Sequence, residues 1–315
     1  MNTVELSVII PVKDEEVAIG PCLARLVPVI EAMSDPAAKS FEILFVDDGS
    51  SDTTLEVIRK ANAADPRIRG ISLSRNFGKE AALTAGLDAS RGLAVVPLDV
   101  DLQDPPEALP RMVAQWRNGF EVVYGVRDNR ETDSLPKRIT ADFYYRAHNW
   151  LSNDKIPEHA GDFRLLDRKV VDVIRQMPER NRFMKGLFAW AGFKQAAVSY
   201  HREERKVGNT KFNYWKLWTL AIDGITSAST VPLRIWSYLG GFVALGALGY
   251  ALFIIIRTLT TGIVVPGYAS LMVAILFLGG LQLLSLGVLG EYVGRILTET
   301  KARPLYVVRE TIGEG

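Results

Sequence analysis

Short apolar runs alternate with amphipathic stretches over the first 130 residues, and this pattern predicts an α/β domain. The apolar runs, rich in β-branched residues, predict strands at 6–12, 41–48, 68–74, 93–101 and 121–125. The intervening stretches predict helices near 15–33, 78–89 and 106–118, with one more after a cap at Ser50 or Ser51. Nearly continuous apolar strands separated by helices favour a mostly parallel sheet with helices on both faces.

Two long stretches near the C-terminus contain no Asp, Glu, Lys or Arg. They cover 235–256 and 269–290, with 22 residues each. At about 1.5 Å per residue, such a helix crosses a hydrocarbon core of about 30 Å. We therefore expect two transmembrane helices in a hairpin over 233–292. The alternative, a pair of buried helices in a soluble protein, is disfavoured by this length.

Basic residues lie outside the predicted hairpin rather than between its helices. They are Lys211, Lys216 and Arg234 before the first span and Arg295, Lys301 and Arg303 after the second, whereas the connection has only Arg257. The positive-inside rule then predicts that both termini are cytoplasmic.

The stretch 213–232 carries Trp215, Trp218 and Ile222 at helical spacing, which predicts an amphipathic helix at the membrane interface. A helix packed on the soluble domain is the alternative. The expected organisation is a cytoplasmic catalytic domain at 1–212, the interfacial region at 213–232, the hairpin at 233–292 and a cytoplasmic tail at 293–315.

Composition removes several classes of function. The formal net charge of +1 gives no support for a nucleic-acid partner. Cys22 is the single cysteine, so an intrachain disulfide is impossible, and we expect no cleavable signal peptide at the N-terminus. The sequence has no G-x-G-x-x-G, P-loop, G-x-S-x-G or H-E-x-x-H motif, which disfavours dinucleotide-binding, P-loop and hydrolase sites.

Acidic residues fall where the predicted strands end. They are Asp14, Asp47, Asp48, Asp99 and Asp101. Because the carboxyl ends of parallel strands share one edge of a sheet, three such strands place carboxylates on a single rim, where ligands of α/β sheets bind.

The segment DVDLQ supplies three oxygen-bearing side chains, those of Asp99, Asp101 and Gln103. Mg²⁺ or Mn²⁺ prefers such ligands together with substrate phosphates. Solvated loop acids are the alternative reading of a lone D-x-D motif. A second group, Pro11, Glu15, Asp47 and Asp48, is suited to binding a nucleotide, although Asp48 also fits a turn and helix cap, and the two roles are compatible.

Five motifs carry a resemblance to a known family. They are SVIIPVKDEE, FVDDGSSDTT, LSRNFGKEAAL, DVDLQDPPE and GDFRLLDRKVV. Together with the two predicted spans, they resemble the polyisoprenyl-phosphate glycosyltransferases, inverting enzymes of glycosyltransferase family two with a GT-A (nucleotide-diphospho-sugar transferase) fold. The bactoprenol glucosyltransferases are the most similar group. The chain departs from the family at Lys13-Asp14, commonly Tyr-Asn, and at Val100, usually Ala.

The resemblance implies site residues for a nucleotide-diphospho-sugar donor and a lipid-phosphate acceptor. The residues expected to bind the donor are Pro11, Val12, Glu15, Asp47, Asp48, Asp99, Val100 and Asp101. The residues expected to bind the Mg²⁺ or Mn²⁺ ion are Asp99, Asp101 and Gln103. Phosphate and acceptor contacts are expected from Arg127, Arg138, Arg205 and Lys211. The expected catalytic residues are Asp162, as the base, and Arg127. A solvated or lipid-facing surface is the alternative for the basic residues. For Asp162 the alternatives are to orient the acceptor or to cap a turn.

The implied function is inverting transfer of a hexose to a polyisoprenyl phosphate such as undecaprenyl phosphate. Glucose from UDP-glucose is the expected donor sugar, and the expected location is the bacterial inner membrane. The resemblance further implies a homo-oligomer, a tetramer. The alternatives are a transferase for another sugar, resembling dolichol-phosphate-mannose synthase, and a non-catalytic membrane protein that binds nucleotide sugars. A processive polysaccharide synthase is disfavoured, because the chain lacks a Q-x-x-R-W motif.

Overall fold

A computed structural model describes residues 4–127, 160–180, 182, 184–201, 231–261 and 267–313 of the chain. The chain divides into two compact units, one of Met1–Leu217 with Arg303–Gly315 and the other of Trp218–Ala302.

The first unit is built on one eight-stranded sheet. Its elements are β1 (Leu6–Val12), α1 (Ile19–Glu31), β2 (Phe41–Asp47), α2 (Thr54–Ala64), β3 (Ile68–Leu73), α3 (Lys79–Ala89), β4 (Ala94–Pro97), α4 (Leu109–Arg117), β5 (Val122–Arg127), β6 (Ala160–Asp167), α5 (Arg168–Gln176), α6 (Met184–Trp190), β7 (Gln195–Tyr200) and β8 (Val308–Ile312). The strand order is β7-β5-β6-β4-β1-β2-β3-β8. Strands β1 to β4 are parallel, β5 and β7 are parallel to each other, and β6 and β8 pair antiparallel with their neighbours.

Alternate residues of the central strands enter two separate hydrophobic cores, one on each face of the sheet. Ile9 and Leu44 belong to one core, whereas Val8 and Ile43 belong to the other. This explains why the strands are apolar along their whole length rather than at every second position. The predicted GT-A type architecture, a mostly parallel sheet flanked by helices, is confirmed.

Two predicted elements are shorter in the structure because polar loops take over their ends. Helix α1 begins at Ile19 rather than near 15, since residues 13–16 are hydrogen-bonded to the loop after β2. Strand β4 ends at Pro97 rather than 101. The chain then enters a tight turn, in which the Leu102 N–H donates to the Asp99 carbonyl at 3.2 Å.

The last residues of the chain return to the sheet. The sequence predicted a tail over 293–315, but a helix continues to Thr300 and Val308–Ile312 forms β8, antiparallel to β3. Glu310 pairs with Arg59 of α2 at 2.6 Å. The Tyr306 hydroxyl donates to Asp88 of α3 at 2.7 Å. The first unit is thus assembled from two segments that lie before and after the second unit in sequence.

The second unit contains two long helices, α7 (Val231–Thr261) and α8 (Tyr268–Thr300). Both carry exposed apolar side chains, among them Phe242 and Leu283. Within the described ranges, Phe277–Thr300 is the one segment that meets the length and hydropathy expected of a membrane span. The predicted spans 235–256 and 269–290 lie inside α7 and α8. The predicted interfacial helix, except its last two residues, lies outside the described residues.

A buried ion pair ties the first three strands together near their amino-terminal ends. Arg69 of β3 contacts Glu42 of β2 at 2.6 Å, and both side chains are almost fully buried. The other carboxylate oxygen of Glu42 accepts from the Ser7 hydroxyl at 2.6 Å and from the Arg91 N–H at 2.7 Å. Removing one partner of such a pair leaves the other charge buried and uncompensated.

We therefore expect Glu42→Gln to lower the free energy of unfolding by about 3 kcal/mol or more. For a unit of this size, that loss lowers the melting temperature by roughly 6 to 12 °C, measured by thermal unfolding in detergent. Glu107→Gln is the matched control, because Glu107 contacts Arg25 at 2.8 Å with half of its side chain exposed. The exposed pair is expected to contribute at most about 1 kcal/mol. Equal shifts for the two variants would contradict the assigned role of the buried pair.

Candidate functional site

Strand polarity gathers the predicted site residues at one edge of the sheet, here called the rim. The carboxyl ends of β1 to β5 and β7 meet there, together with the amino ends of β6 and β8. Arg127 is the last residue of β5, and Asp162 is the third residue of β6. Strand β6 pairs antiparallel with β4 through Ala94–Asp167 and Val95–Leu166, so the amino-terminal part of β6, which includes Asp162, extends toward the rim.

The structure brings the predicted acids and the backbones of Arg127 and Asp162 to this rim. The side chains of Arg127 and Asp162 lie outside the described part of the chain, as do Arg138, Arg205 and Lys211 altogether.

Reciprocal hydrogen bonds join the loops that follow β1 and β2. The Ser51 N–H donates to Asp14 at 2.8 Å, and the Asp14 N–H donates to the Ser50 hydroxyl at 2.9 Å. The Glu15 N–H donates to the Thr54 hydroxyl at 2.9 Å. Asp14 has φ 53°, a conformation that Asp and Asn adopt more readily than most residues. These bonds fix the position of Glu15 before any ligand arrives.

The Asp14 carboxylate is held in its ionised form. The Ser51 N–H, followed by the Lys13 ammonium at 3.0 Å, lowers the pKa of Asp14 from 3.8 to about 2. Because the pKa is lowered in the folded protein, the contact stabilises the protein above pH 3.8 and is lost as the pH falls through about 2. The Lys13-Asp14 departure from the family pattern therefore builds an ordered loop contact.

Asp47 and Asp48 serve the fold directly. The buried Asp47 carboxylate accepts from the Ser50 N–H and from the Ser72 hydroxyl, each at 2.9 Å. The buried Asp48 carboxylate accepts from the Phe77 N–H at 2.7 Å and from the Gly78 N–H at 2.9 Å. Asp48 thus fixes the loop that precedes α3. The local turn bond considered for Asp48 is made instead by Asp47, which accepts from the Ser50 N–H, and nucleotide binding by both acids stays a prediction.

The turn at 99–103 separates its apolar and polar residues. Val100 and Leu102 are buried in the core, whereas Asp99, Asp101 and Gln103 are partly exposed. The Gln103 N–H donates to the Asp101 carboxylate at 3.2 Å. The buried Val100 and Leu102 therefore anchor a turn whose oxygen-bearing residues stay partly exposed. Since the side chains of Val100 and Val12 are buried in this core, any contact they make with a donor is through the main chain.

Lys79 and Cys22 each interact with an aspartate of this turn. The Lys79 ammonium lies 2.7 and 2.8 Å from the two Asp99 carboxylate oxygens. Cys22 of α1 is buried, and this burial, with a smaller contribution from the Asp101 charge, raises the pKa of its thiol to about 12. The Cys22 thiol is therefore protonated at neutral pH and unsuited to metal binding.

The donor set suits a hard divalent cation that completes its coordination with substrate. Among the described residues, no group of three His, Cys, Asp or Glu side chains could hold a metal ion. Two carboxylates with an amide match the sites at which Mg²⁺ takes further ligands from phosphate and water. The pairing of Asp99 with an ammonium shows that the turn already balances one carboxylate with a cation.

Sequence reasoning did not identify Asp104 and Tyr200 as part of this region. The hydroxyl of the buried Tyr200, at the end of β7, donates a hydrogen bond to the buried Asp104 carboxylate, directly after the turn. Strand β7 was not predicted, although from Ala197 to Tyr200 its residues alternate between exposed and buried, which is typical of a half-buried strand.

Comparison with protein families assigns both parts of the chain. The family described as glycosyl transferase family 2 matches residues 7–175, more than half of the chain. The chain belongs to glycosyl transferase family 2. The family described as GtrB C-terminal hairpin matches residues 231–296, a range that covers α7 and most of α8. The protein is therefore a glycosyltransferase, as the sequence motifs predicted.

Relatives of this family 2 enzyme match it nearly end to end. A protein of Synechocystis, named as an uncharacterized glycosyltransferase, is 51% identical over 99% of this chain and 96% of its own. The prophage bactoprenol glucosyl transferase homolog of Escherichia coli is 49% identical over 97% of this chain and 98% of its own. Among solved structures, glucosyl-3-phosphoglycerate synthase from Mycobacterium tuberculosis with UDP is 20% identical, with coverages of 71% and 80% and a TM-score of 0.45.

At Gly49, any side chain introduced by substitution would collide with main-chain atoms. It has φ +66°, and a Cβ there would lie 2.5 Å from the Arg75 carbonyl carbon and 2.7 Å from the Asn76 nitrogen. We expect Gly49→Ala to displace the loop before α3 and to cost about 2 kcal/mol or more. Thermal unfolding should show a decrease of roughly 4 to 8 °C in the melting temperature.

Gly20→Ala is the control for that substitution. Gly20 lies in α1, and a Cβ there would have nothing within 4 Å. In a helix, alanine is favoured over glycine by roughly 0.5 to 1 kcal/mol, so this variant should be at least as stable as the parent. An unchanged melting temperature for Gly49→Ala would show that the loop yields without cost.

Proposed function

We propose that the protein transfers a hexose, with glucose from UDP-glucose as the first candidate, to a polyisoprenyl phosphate such as undecaprenyl phosphate. The observation that carries the proposal is similarity, over nearly the whole chain, to proteins named as bactoprenol glucosyl transferases. The protein of Shigella phage SfX, for example, is 48% identical over 97% of this chain. The rim of acidic residues at the carboxyl edge of the sheet supports the same proposal, because ligands of α/β sheets bind there.

The donor would lie along the rim from β2 to β4. Its nucleotide would contact Pro11, Val12, Glu15, Asp47 and Asp48, and its diphosphate would approach Asp99, Val100 and Asp101. Since the Asp47 and Asp48 carboxylates already accept bonds from the protein, their remaining lone pairs would serve the nucleotide. The hydrogen-bonded loops after β1 and β2 supply a preformed surface, which reduces the ordering cost of binding.

Asp99, Asp101 and Gln103 would hold a Mg²⁺ or Mn²⁺ ion. When bound, such an ion neutralises the charge that develops on a departing nucleoside diphosphate. Lys79 is the cation that this chain itself supplies at Asp99. An ammonium next to the diphosphate would assist the same neutralisation.

The acceptor needs little activation. A phosphate monoester has its second pKa near about 6, so its oxygen is already ionised at neutral pH. That oxygen would attack the anomeric carbon as the bond to the diphosphate breaks on the opposite face, which inverts the configuration. Asp162 would orient the acceptor or take a residual proton. Arg127, Arg138, Arg205 and Lys211 would let two anionic substrates approach each other.

The apolar hairpin would place the site at the headgroup plane. The exposed apolar side chains of α7 and α8 and the hairpin family match support two spans, at about 235–256 and 269–290, in the bacterial inner membrane. The catalytic domain at 1–212 and both termini would be cytoplasmic, with 213–232 at the interface. Residues 303–313 would act as part of the catalytic domain rather than as a tail, since they include β8. Assembly as a homo-oligomer, a tetramer, completes the proposal.

The full-length protein in detergent, given undecaprenyl phosphate and Mg²⁺, should form a glucosyl lipid phosphate from UDP-glucose. UDP-galactose, UDP-N-acetylglucosamine and GDP-mannose are offered in parallel, and the glycolipid is identified by mass. Asp101→Asn should reduce the rate at least about 100-fold, because a charged group at the diphosphate is lost. Asp172→Asn, on the exposed face of α5, is the control and should be as active as the parent. Absence of product from every donor would refute the proposed reaction.

Lys79→Met should tighten metal binding, because the ammonium and a divalent cation compete for the Asp99 carboxylate. An exposed ion pair contributes at most about 1 kcal/mol, so Mn²⁺ affinity measured by calorimetry with UDP should rise by up to about fivefold. Turnover should fall if the ammonium also faces the diphosphate. The exposed lysine Lys60 of α2 gives the matched control Lys60→Met. Weaker Mn²⁺ binding by Lys79→Met would mean that the ammonium supports the metal site instead of competing with it.

A further inference from the structure

Tyr200, the last residue of β7, contacts parts of three other segments at the rim. Its side chain is 1% exposed, and its hydroxyl donates to Oδ1 of Asp104, which is 8% exposed. Its ring meets the Phe163 ring edge-on, with centroids 5.8 Å apart and planes at 88°. It also lies over Gly125, because a Cβ added there would come within 2.5 Å of Tyr200 Cε1.

Each contact partner is close in sequence to a residue that the proposed mechanism uses. Asp104 directly follows the turn at 99–103, which carries the proposed metal ligands. Phe163 follows Asp162, and Gly125 lies two residues before Arg127. Tyr200 itself lies five residues before Arg205. One side chain therefore touches the ends of the segments that carry the metal ligands, the candidate base and the phosphate-binding arginine.

We infer that Tyr200 is a positioning residue that holds the turn at 99–103 in a fixed position relative to β5 and β6. The inference rests on the proposed function, because it gives Tyr200 a task in the same reaction. Tyr200 touches no reacting atom in this scheme. It acts through Asp104 on the turn at 99–103 and through ring contacts on the strands beside it.

Because Tyr200 and Asp104 are both buried, the Tyr200 hydroxyl contributes a specific hydrogen bond in addition to filling space. A hydrogen bond between two buried groups is costly to break, so the bond from Tyr200 favours one position of Asp104. Water cannot readily replace the hydroxyl at a site this closed. Misplacement of a reacting group by about 1 Å can reduce the rate about 100-fold, so a small shift of the turn would affect catalysis.

The ring and the hydroxyl of Tyr200 can be separated experimentally. Tyr200→Phe keeps the ring contacts with Phe163 and Gly125 and removes the bond to Asp104. Asp104→Asn keeps an oxygen that can accept from Tyr200, so it should retain most of the function. Tyr306→Phe is the matched control, because Tyr306 also donates to an aspartate, Asp88, at 2.7 Å near the far end of α3.

The experiment measures Mn²⁺-dependent UDP binding by calorimetry, the Mn²⁺ dependence of turnover and the melting temperature of full-length protein in detergent. For Tyr200→Phe we expect the Mn²⁺ concentration at half-saturation to rise about tenfold and kcat to fall by a similar factor. The KM for the lipid phosphate should change less. Asp104→Asn and Tyr306→Phe should keep the parental Mn²⁺ dependence, even if their melting temperatures decrease.

Parental Mn²⁺ dependence and turnover in Tyr200→Phe would overturn the inference, as would the same shift in Tyr306→Phe. If Tyr200→Phe does not fold, Asp104→Leu compared with Asp104→Asn gives the same contrast from the other partner. A parent protein that binds UDP with Mn²⁺ and glycosylates the lipid supports the proposed function whatever Tyr200→Phe does. A parent that does neither refutes the proposed function itself.

Discussion

A strand that is buried on both faces can present polar side chains only where it ends, and this constraint organises the whole molecule. The central strands of this sheet are apolar because helices cover both of their faces. Their parallel direction brings their carboxyl ends to one rim, so the acids that follow each strand collect there. The reversed strand β6 joins the same rim by its amino end, which places Asp162 among the other candidates.

The carboxylates of the rim differ in burial and in the hydrogen bonds they already make. Asp47 and Asp48 are buried and accept bonds from neighbouring loops, so they hold the rim in shape. Asp99 and Asp101 are partly exposed, and the apolar residues between and after them anchor their turn in the core. The rim therefore combines carboxylates fixed by the fold with carboxylates open to solvent, and the proposed donor and metal sites use both.

The chain also encloses its apolar hairpin within the sequence of the catalytic unit. Strand β8 follows α8 by only a few residues and completes the sheet beside β3. Its ion pair to α2 and the bond from Tyr306 to α3 fasten this last segment to two helices. Residues 231–300 thus lie, in sequence, between two parts of the first unit.

The sequence alone determined the strands β1 to β5, the mostly parallel sheet, the acids at strand ends and the family, because apolar periodicity and motif spacing are local properties. It did not reveal β6, β7 or β8, which pair with distant segments of the chain: β6 with β4 and β5, β7 with β5, and β8 with β3. The roles of Asp48 and of the Asp104–Tyr200 pair were likewise decided by tertiary structure. Their partners lie 29 and 96 positions away in the chain, and no local pattern encodes which distant hydroxyl or amide will meet a buried carboxylate.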